Sequence, residues 1–266
     1  MSPVQILEAA GIGLAAGVIG GLAGIGGSLV MLPGLALVFG FRDAAHTDQH
    51  LYMAAAMAVN VLVAIPATRK HARAGAVRRE LVARVMPAMV MAIIAGVLVS
   101  DRVPGRALKT ILAAFIAAYC VVNIYRVFRP RPQVNRPPEI TTAPVLGAIG
   151  AGAGFVGGLL GLGGGAVMVP ALNTFARLKL LDAIATSSAT MAVSAAIGAS
   201  LKFATLRLHD LRWQDAAWLV VAMAPGAVLG GYAGAWLAHR LPIRTVRIAI
   251  SVILLLVAIR LVMPSV

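Results

Sequence analysis

Residues 17–35 read GVIGGLAGIGGSLVMLPGL, and residues 154–172 read GFVGGLLGLGGGAVMVPAL. The second stretch repeats the first at one constant offset: Gly20, Gly21, Gly24, Gly26, Gly27, Met31, Pro33 and Leu35 return as Gly157, Gly158, Gly161, Gly163, Gly164, Met168, Pro170 and Leu172. Apolar segments broken by glycine at corresponding positions of two halves are the sequence mark of discontinuous helices that meet inside a membrane.

The correspondence extends outward from these stretches. Ala56–Asn60 (AMAVN) aligns with Thr190–Ser194 (TMAVS), Pro87 and Gly96 with Pro225 and Gly234, and Pro104, Arg106 and Lys109 with Pro242, Arg244 and Arg247. The expected layout is a first membrane repeat over residues 1–128, a proline-rich linker over 129–143 (RPRPQVNRPPEITTA) and a second membrane repeat over 144–266.

Composition places both halves in lipid. With 60% hydrophobic residues, 12% charged and a mean hydropathy of +0.92, the chain lacks the polar surface a water-soluble fold of 266 residues needs. Apolar runs near the spanning length of about 20 residues fall at about 4–23, 51–68, 85–100, 108–128, 144–160, 183–203, 216–237 and 246–263. Two shorter runs, 28–40 and 165–175, follow the glycines. The fold expected is an all-α polytopic membrane protein, each half holding about three spanning helices plus a glycine-broken or re-entrant pair.

The net charge of +14 sits in short loops and not on one basic face, which argues against nucleic acid. Its densest clusters lie in loops 69–84 and 126–140, and the positive-inside rule puts both in the cytoplasm. No Lys or Arg precedes the first apolar run, so that run is expected to stay as a helix and not to be a cleaved signal. The lone Cys120 reads as a small buried apolar residue.

One straight helix over residues 5–38 would run roughly 50 Å, more than the bilayer core requires. The chain must therefore turn within the membrane, and Gly24–Gly27 is where it can. A segment that leaves on the side it entered makes the two halves inverted, and this turn-back is the ground for expecting inversion. The Lys and Arg balance barely separates inverted from parallel halves.

After each turn a short helix begins near Ser28 or Gly165, and its free N–H groups and positive dipole end attract anions. Gly24, Gly26, Gly27 and Ser28 of one half and Gly161, Gly163, Gly164 and Gly165 of the other are thus the candidate binding residues. Thr186 and Ser187 add neutral hydroxyl donors, while the first half carries His50 and Tyr52 in that region, so the site is expected to be asymmetric. Asn60, the one amide inside an early span, is read as an interhelix hydrogen-bonding group.

Other groups receive plainer readings. His46 and His50, four apart, could share a helix face as a metal or proton pair or stand in a solvated loop, and no metal or other cofactor is assigned. No acidic residue falls at the centre of a span, and Lys202 is expected to snorkel from the cytoplasmic end of its helix. Gly226, Gly230 and Gly234 read as a packing stripe in which Gly230→Ala is mild.

The paired GGLxGxGG…P segments, the Ala185-Thr186-Ser187 triplet and the two-half layout resemble the sulfite exporter TauE/SafE family of bacterial membrane permeases. That resemblance implies a multi-pass protein of the bacterial inner membrane that moves small anions, often sulfur-containing ones such as sulfite or organosulfonates. An anion channel, and behind it a membrane-embedded enzyme, are the alternative readings. A homo-oligomer is left open.

Overall fold

The computed structural model describes residues 2–128, 138–238, 240, 248, 251, 252, 254 and 255. Its helices are α1 (Pro3–Ala23), α2 (Ser28–Phe39), α3 (Asp48–Arg73), α4 (Arg79–Ser100), α5 (Gly105–Phe128), α6 (Ala143–Leu160), α7 (Gly165–Thr174), α8 (Leu180–Thr205) and α9 (Trp213–Ala238), with a 3-10 turn at Leu206–His209 and no strand among the described residues. Seven of them, all but the short α2 and α7, are long and apolar enough to cross a membrane. The exposed side chains of their outer faces, Met91, Val121, Trp218, Val221 and Leu229 among them, are those a lipid boundary requires. The run expected at 246–263 and the linker residues 129–137 lie mostly or wholly outside the described residues.

Two hairpins define the architecture. α1 opens with a capping box in which Ser2 and Gln5 exchange bonds and Pro3 holds the first position; it ends at Gly24 in the left-handed conformation. α2 then folds back along it, with Gly27 against Ala16 and Gly34 against Ile12. At 12 residues, α2 is only about 18 Å long. α6 ends at Gly161, again left-handed, and α7 returns so far that the Ala176 carbonyl accepts the Ile140 N–H (3.0 Å) just before α6 begins. The chain therefore turns back at both glycine runs.

Each hairpin packs against a helix distant in sequence. α1 runs parallel to α9: a Cβ at Gly17 would lie 2.5 Å from the Ala227 carbonyl oxygen, and Gly13 and Gly21 meet the Met223 and Gly231 carbonyls in the same way. α6 packs against α4 likewise, through Gly150, Gly154 and Gly158 on Val85, Met89 and Ile93. Small residues at such crossings let backbones touch where lipid supplies no hydrophobic drive. The same geometry corrects the expectation for Gly230→Ala. The added Cβ would sit 2.5 Å from the Leu14 carbonyl oxygen and 2.8 Å from the Val18 nitrogen, so α1 and α9 would have to part.

Between these pairs lie α3 and α8, antiparallel, with Met57 against Gly198 and the start of α3 beside the end of α8 through His50 and Lys202. One end of the bundle gathers the starts of α3, α5 and α9 and the ends of α4 and α8. At the opposite end Arg78 and Arg84, at the start of α4, bond Glu139 and the Thr141 carbonyl just ahead of α6. Since α1 begins beside the start of α9 and α6 beside the start of α4, the two hairpins enter from opposite ends.

α3 begins earlier than its apolar run suggests because its polar first turn, Asp48, Gln49 and His50, is buried. Asp48, for one, accepts the Arg42 backbone N–H (2.7 Å) and pairs its guanidinium.

Candidate functional site

The repeated glycines divide by task. Gly24, Gly26, Gly161, Gly163 and Gly164 carry φ between 65° and 95°, a conformation that costs an L side chain about 1–2 kcal/mol. Gly20 and Gly157 back the turns, where a Cβ would strike the Gly26–Gly27 and Gly163–Gly164 backbone. Gly21 and Gly158 serve the helix crossings. Gly165 has a further constraint: a Cβ there would lie 2.8 Å from the Ile25 carbonyl carbon and 2.9 Å from the Gly24 oxygen. The second hairpin needs glycine where the first has Ser28 because the first turn lies directly against it.

The two turns thus meet between α3 and α8, near the midpoints of both. Asn60, fully buried on α3, ties them together. Its Oδ1 accepts the Gly27 N–H (2.8 Å), and its Nδ2 donates to Ser28 Oγ and to the Leu162 carbonyl (3.2 Å). From α8, Ser187 donates to the Gly24 carbonyl (2.7 Å) and Ser194 to the Gly163 carbonyl (2.8 Å). Thr190 turns back on its own helix, bonding the Ser187 carbonyl. Thr186 Oγ1 and Ser188 Oγ are buried with no hydrogen-bond partner among the described residues, a state that costs about 1–3 kcal/mol per group.

The first intrahelical bonds of α2 and α7 run from Val30 and Met31 to the Gly27 carbonyl and from Val167 and Met168 to the Gly164 carbonyl. The N–H groups of Ser28, Leu29, Gly165 and Ala166 precede them and have no intrahelical acceptor. Two positive helix ends therefore converge where Ser187 bonds the first turn, one position along α8 from the uncommitted hydroxyls of Thr186 and Ser188, and none of the residues named at the crossing is charged. A small anion is the species such a set of neutral donors suits.

Of the expected residues, the crossing brings together all eight at the turns, with Ser187 bonded to the first turn and Thr186 next to it in the chain. It does not include Tyr52 or His50. The Tyr52 hydroxyl donates to the Gly40 carbonyl (2.5 Å) at the end of α2. His50 lies toward the start of α3, where its ring stacks on His209 (centroids 3.7 Å apart) and its Nδ1 meets Lys202 Nζ at 2.9 Å. His46 does not share that site. It stacks on Phe41 at 4.1 Å, and burial, helped by Lys109 and Arg106, pushes its imidazole below the ordinary range.

Lys202 departs from expectation altogether. Its side chain is 0% exposed, pairs with Asp101 and donates to Ser100 Oγ (2.9 Å) as well as meeting His50. Instead of snorkelling to an interface it is neutralised inside, at the end of the bundle away from the Arg69–Arg84 loop. Only long-range partners, some 100 or more positions away in sequence, hold it there.

A model of the sulfite exporter TauE/SafE family matches residues 9–261. This chain belongs to that family. It is a multi-pass membrane protein whose paired glycine turns are part of the family-matched region. Among curated proteins it is similar to a probable membrane transporter protein MamO of Magnetospirillum gryphiswaldense, 24% identical over 92% of this chain and 43% of that protein. The MamO protein of Paramagnetospirillum magneticum is 23% identical over 89% of this chain and 41% of that protein. The probable membrane transporter protein YunE of Bacillus subtilis is 30% identical over 41% of this chain and 37% of its own length. The chain spans less than half the length of these relatives. No solved structure matches it.

Proposed function

We propose that this chain is a bacterial inner-membrane permease for small anions, sulfur oxyanions such as sulfite or small organosulfonates foremost, with the crossing of its two glycine turns as the binding site. The supporting observation is the convergence of the α2 and α7 N-termini on a buried crossing whose named residues carry no charge, beside Ser187 of α8, whose chain neighbours Thr186 and Ser188 have buried, unpartnered hydroxyls. Ser28, whose oxygen accepts from Asn60, keeps its own hydroxyl hydrogen to donate. Neutral donors bind an anion without the permanent trap a fixed cation would set.

Residues 1–128 and 144–266 act as two inverted halves that rock about α3 and α8, exposing the crossing to one side at a time. Entry of the hairpins from opposite ends and the antiparallel run of α3 and α8 support this arrangement. Loops 69–84 and 126–140 face the cytoplasm. The membrane potential then favours anion exit by about 2.3 kcal/mol per charge per 100 mV.

Labelled sulfite in proteoliposomes tests the reading. Sulfite should be taken up and exchanged while methylamine is not. Uptake of the cation without the anion, or currents at channel turnover, would contradict it.

A further inference from the structure

The Lys202 cluster joins four segments that converge on one end of the bundle. Lys202 lies in the last turn of α8, Ser100 and Asp101 end α4, His50 lies in the first turn of α3, and His209 closes the 3-10 turn that follows α8. An ammonium has three hydrogens, and here it has three acceptors: an Asp101 carboxylate oxygen, Ser100 Oγ and His50 Nδ1. His50 must therefore be neutral, with Nδ1 unprotonated, for this arrangement to exist. The cluster also stands between the glycine crossing and this end of the bundle. On α3, His50, Met53, Met57 and Asn60 follow one another at helical spacing; Met53 covers Gly161, and Asn60 holds the turns.

We infer that Lys202, Asp101, Ser100 and His50 form a proton-released latch that closes the route from this end of the bundle to the glycine crossing. A proton arriving at His50 Nδ1 turns an acceptor into a donor and sets an imidazolium against the Lys202 ammonium. The closed bundle cannot keep that proton. Parted helices can, since the imidazole then meets water and titrates near its ordinary value of about 6.5. By linkage, the closed state holds fully above that pH and yields to the open state as pH falls below it. The charged or titratable groups that face His50 are Lys202 from α8, His209 from the turn after it and Asp101 from the end of α4. Nearby Arg102 bonds back to the Leu98 carbonyl. The inference takes its meaning from the permease reading, since a latch needs a route to close, but its geometry is independent of which anion travels.

Thiol accessibility tests it without a substrate. Met57→Cys, in a Cys120→Ser background and in lipid nanodiscs, places a thiol at a fully buried position between latch and turns; Leu208→Cys, 72% exposed on the 3-10 turn, corrects for the pH dependence of the chemistry. Reaction of the buried thiol with a hydrophilic maleimide, relative to the control, should rise about tenfold from pH 7.5 to pH 5.5, the ratio that one proton titrating near 6.5 gives. His50→Gln, which keeps an acceptor for Lys202 but takes no proton, should abolish the rise. Lys202→Met should label fast at both pH values. A pH-independent ratio in the parent, or an undiminished rise in His50→Gln, overturns the latch, and neither depends on the Lys202 variant folding. Sulfite uptake by the same proteins separates the two claims. Uptake with flat labelling removes the latch alone, whereas pH-responsive labelling without uptake of sulfite removes the substrate reading and leaves the latch standing.

Discussion

The first glycine turn and the second are left-handed at matching glycines, Gly24 and Gly26 against Gly161 and Gly163, but part at Gly27 (φ −83°) and Gly164 (φ 95°), and different things hold them in place. The first is gripped by side chains: Asn60 takes its Gly27 N–H, and Ser187 caps its Gly24 carbonyl. The second has one hydroxyl grip, Ser194 on the Gly163 carbonyl, beside the longer Asn60 bond to Leu162. Otherwise it fits because side chains are missing, with three left-handed glycines in Gly161, Gly163 and Gly164 and a bare Gly165 under the first turn. The repeated sequence thus carries two turn-backs of similar form, while polar anchoring is concentrated on the first. The first turn should be sensitive to loss of a hydrogen bond, and the second to gain of an atom.

Substitutions can break that contrast in order of severity. Gly164→Val should do most damage, since a β-branched residue at φ 95° also drives into the Met89 side chain. Strain of about 1–2 kcal/mol and overpacking of about 1–3 kcal/mol add to several kcal/mol. The melting temperature in detergent should fall by roughly 5–15 °C, with transport lost.

A reciprocal exchange comes next. Gly165→Ser, giving the second turn the residue of the first, should cost about 1–3 kcal/mol because its Cβ meets backbone at 2.8 Å. Ser28→Gly should cost about 1 kcal/mol, the worth of the bond from Asn60. Equal melting temperatures for the two variants would show that the turns are interchangeable.

Asn60→Ala should exceed Ser194→Ala. The first leaves the Gly27 N–H buried and unpaired, at about 1–3 kcal/mol; the second removes one hydroxyl donor, at about 0.5–1.5 kcal/mol. Denaturant midpoints on matched preparations measure the difference. Smallest of all are Gly11→Ala and Gly152→Ala, helical glycines whose Cβ would meet nothing within 4 Å. They should be neutral or gain up to about 1 kcal/mol from helix propensity, and they replace Gly230→Ala as controls.

Much of this is legible in the sequence because local chemistry dictates it. Only glycine accepts the dihedrals at Gly24 and Gly161 without cost, so the breaks can be placed, and the excess length of residues 5–38 requires the turn-back seen at α1 and α2. Asn60 stands out as a lone amide in an apolar run. What escapes depends on partners distant in sequence. Nothing around Lys202 announces Asp101, Ser100 and His50, so a lysine near a helix end reads as a snorkelling one. Gly230 reads correctly as packing, but its intolerance of a methyl comes from a backbone carbonyl, Leu14, which no side-chain pattern reveals. Tyr52 aligns with Thr186 and so reads as a site residue, whereas its greater reach carries the hydroxyl to Gly40.

Ligand stabilisation of the purified protein decides whether the crossing of the turns binds the anion. Sulfite at about 100 times its Kd should stabilise the parent by about 2.7 kcal/mol, seen as a rise of several degrees in melting temperature. The Thr186→Val, Ser187→Ala double variant, compared with its own unliganded baseline, should show most of that rise lost. An equal rise in parent and variant, or stabilisation by methylamine and not by sulfite, would contradict the account.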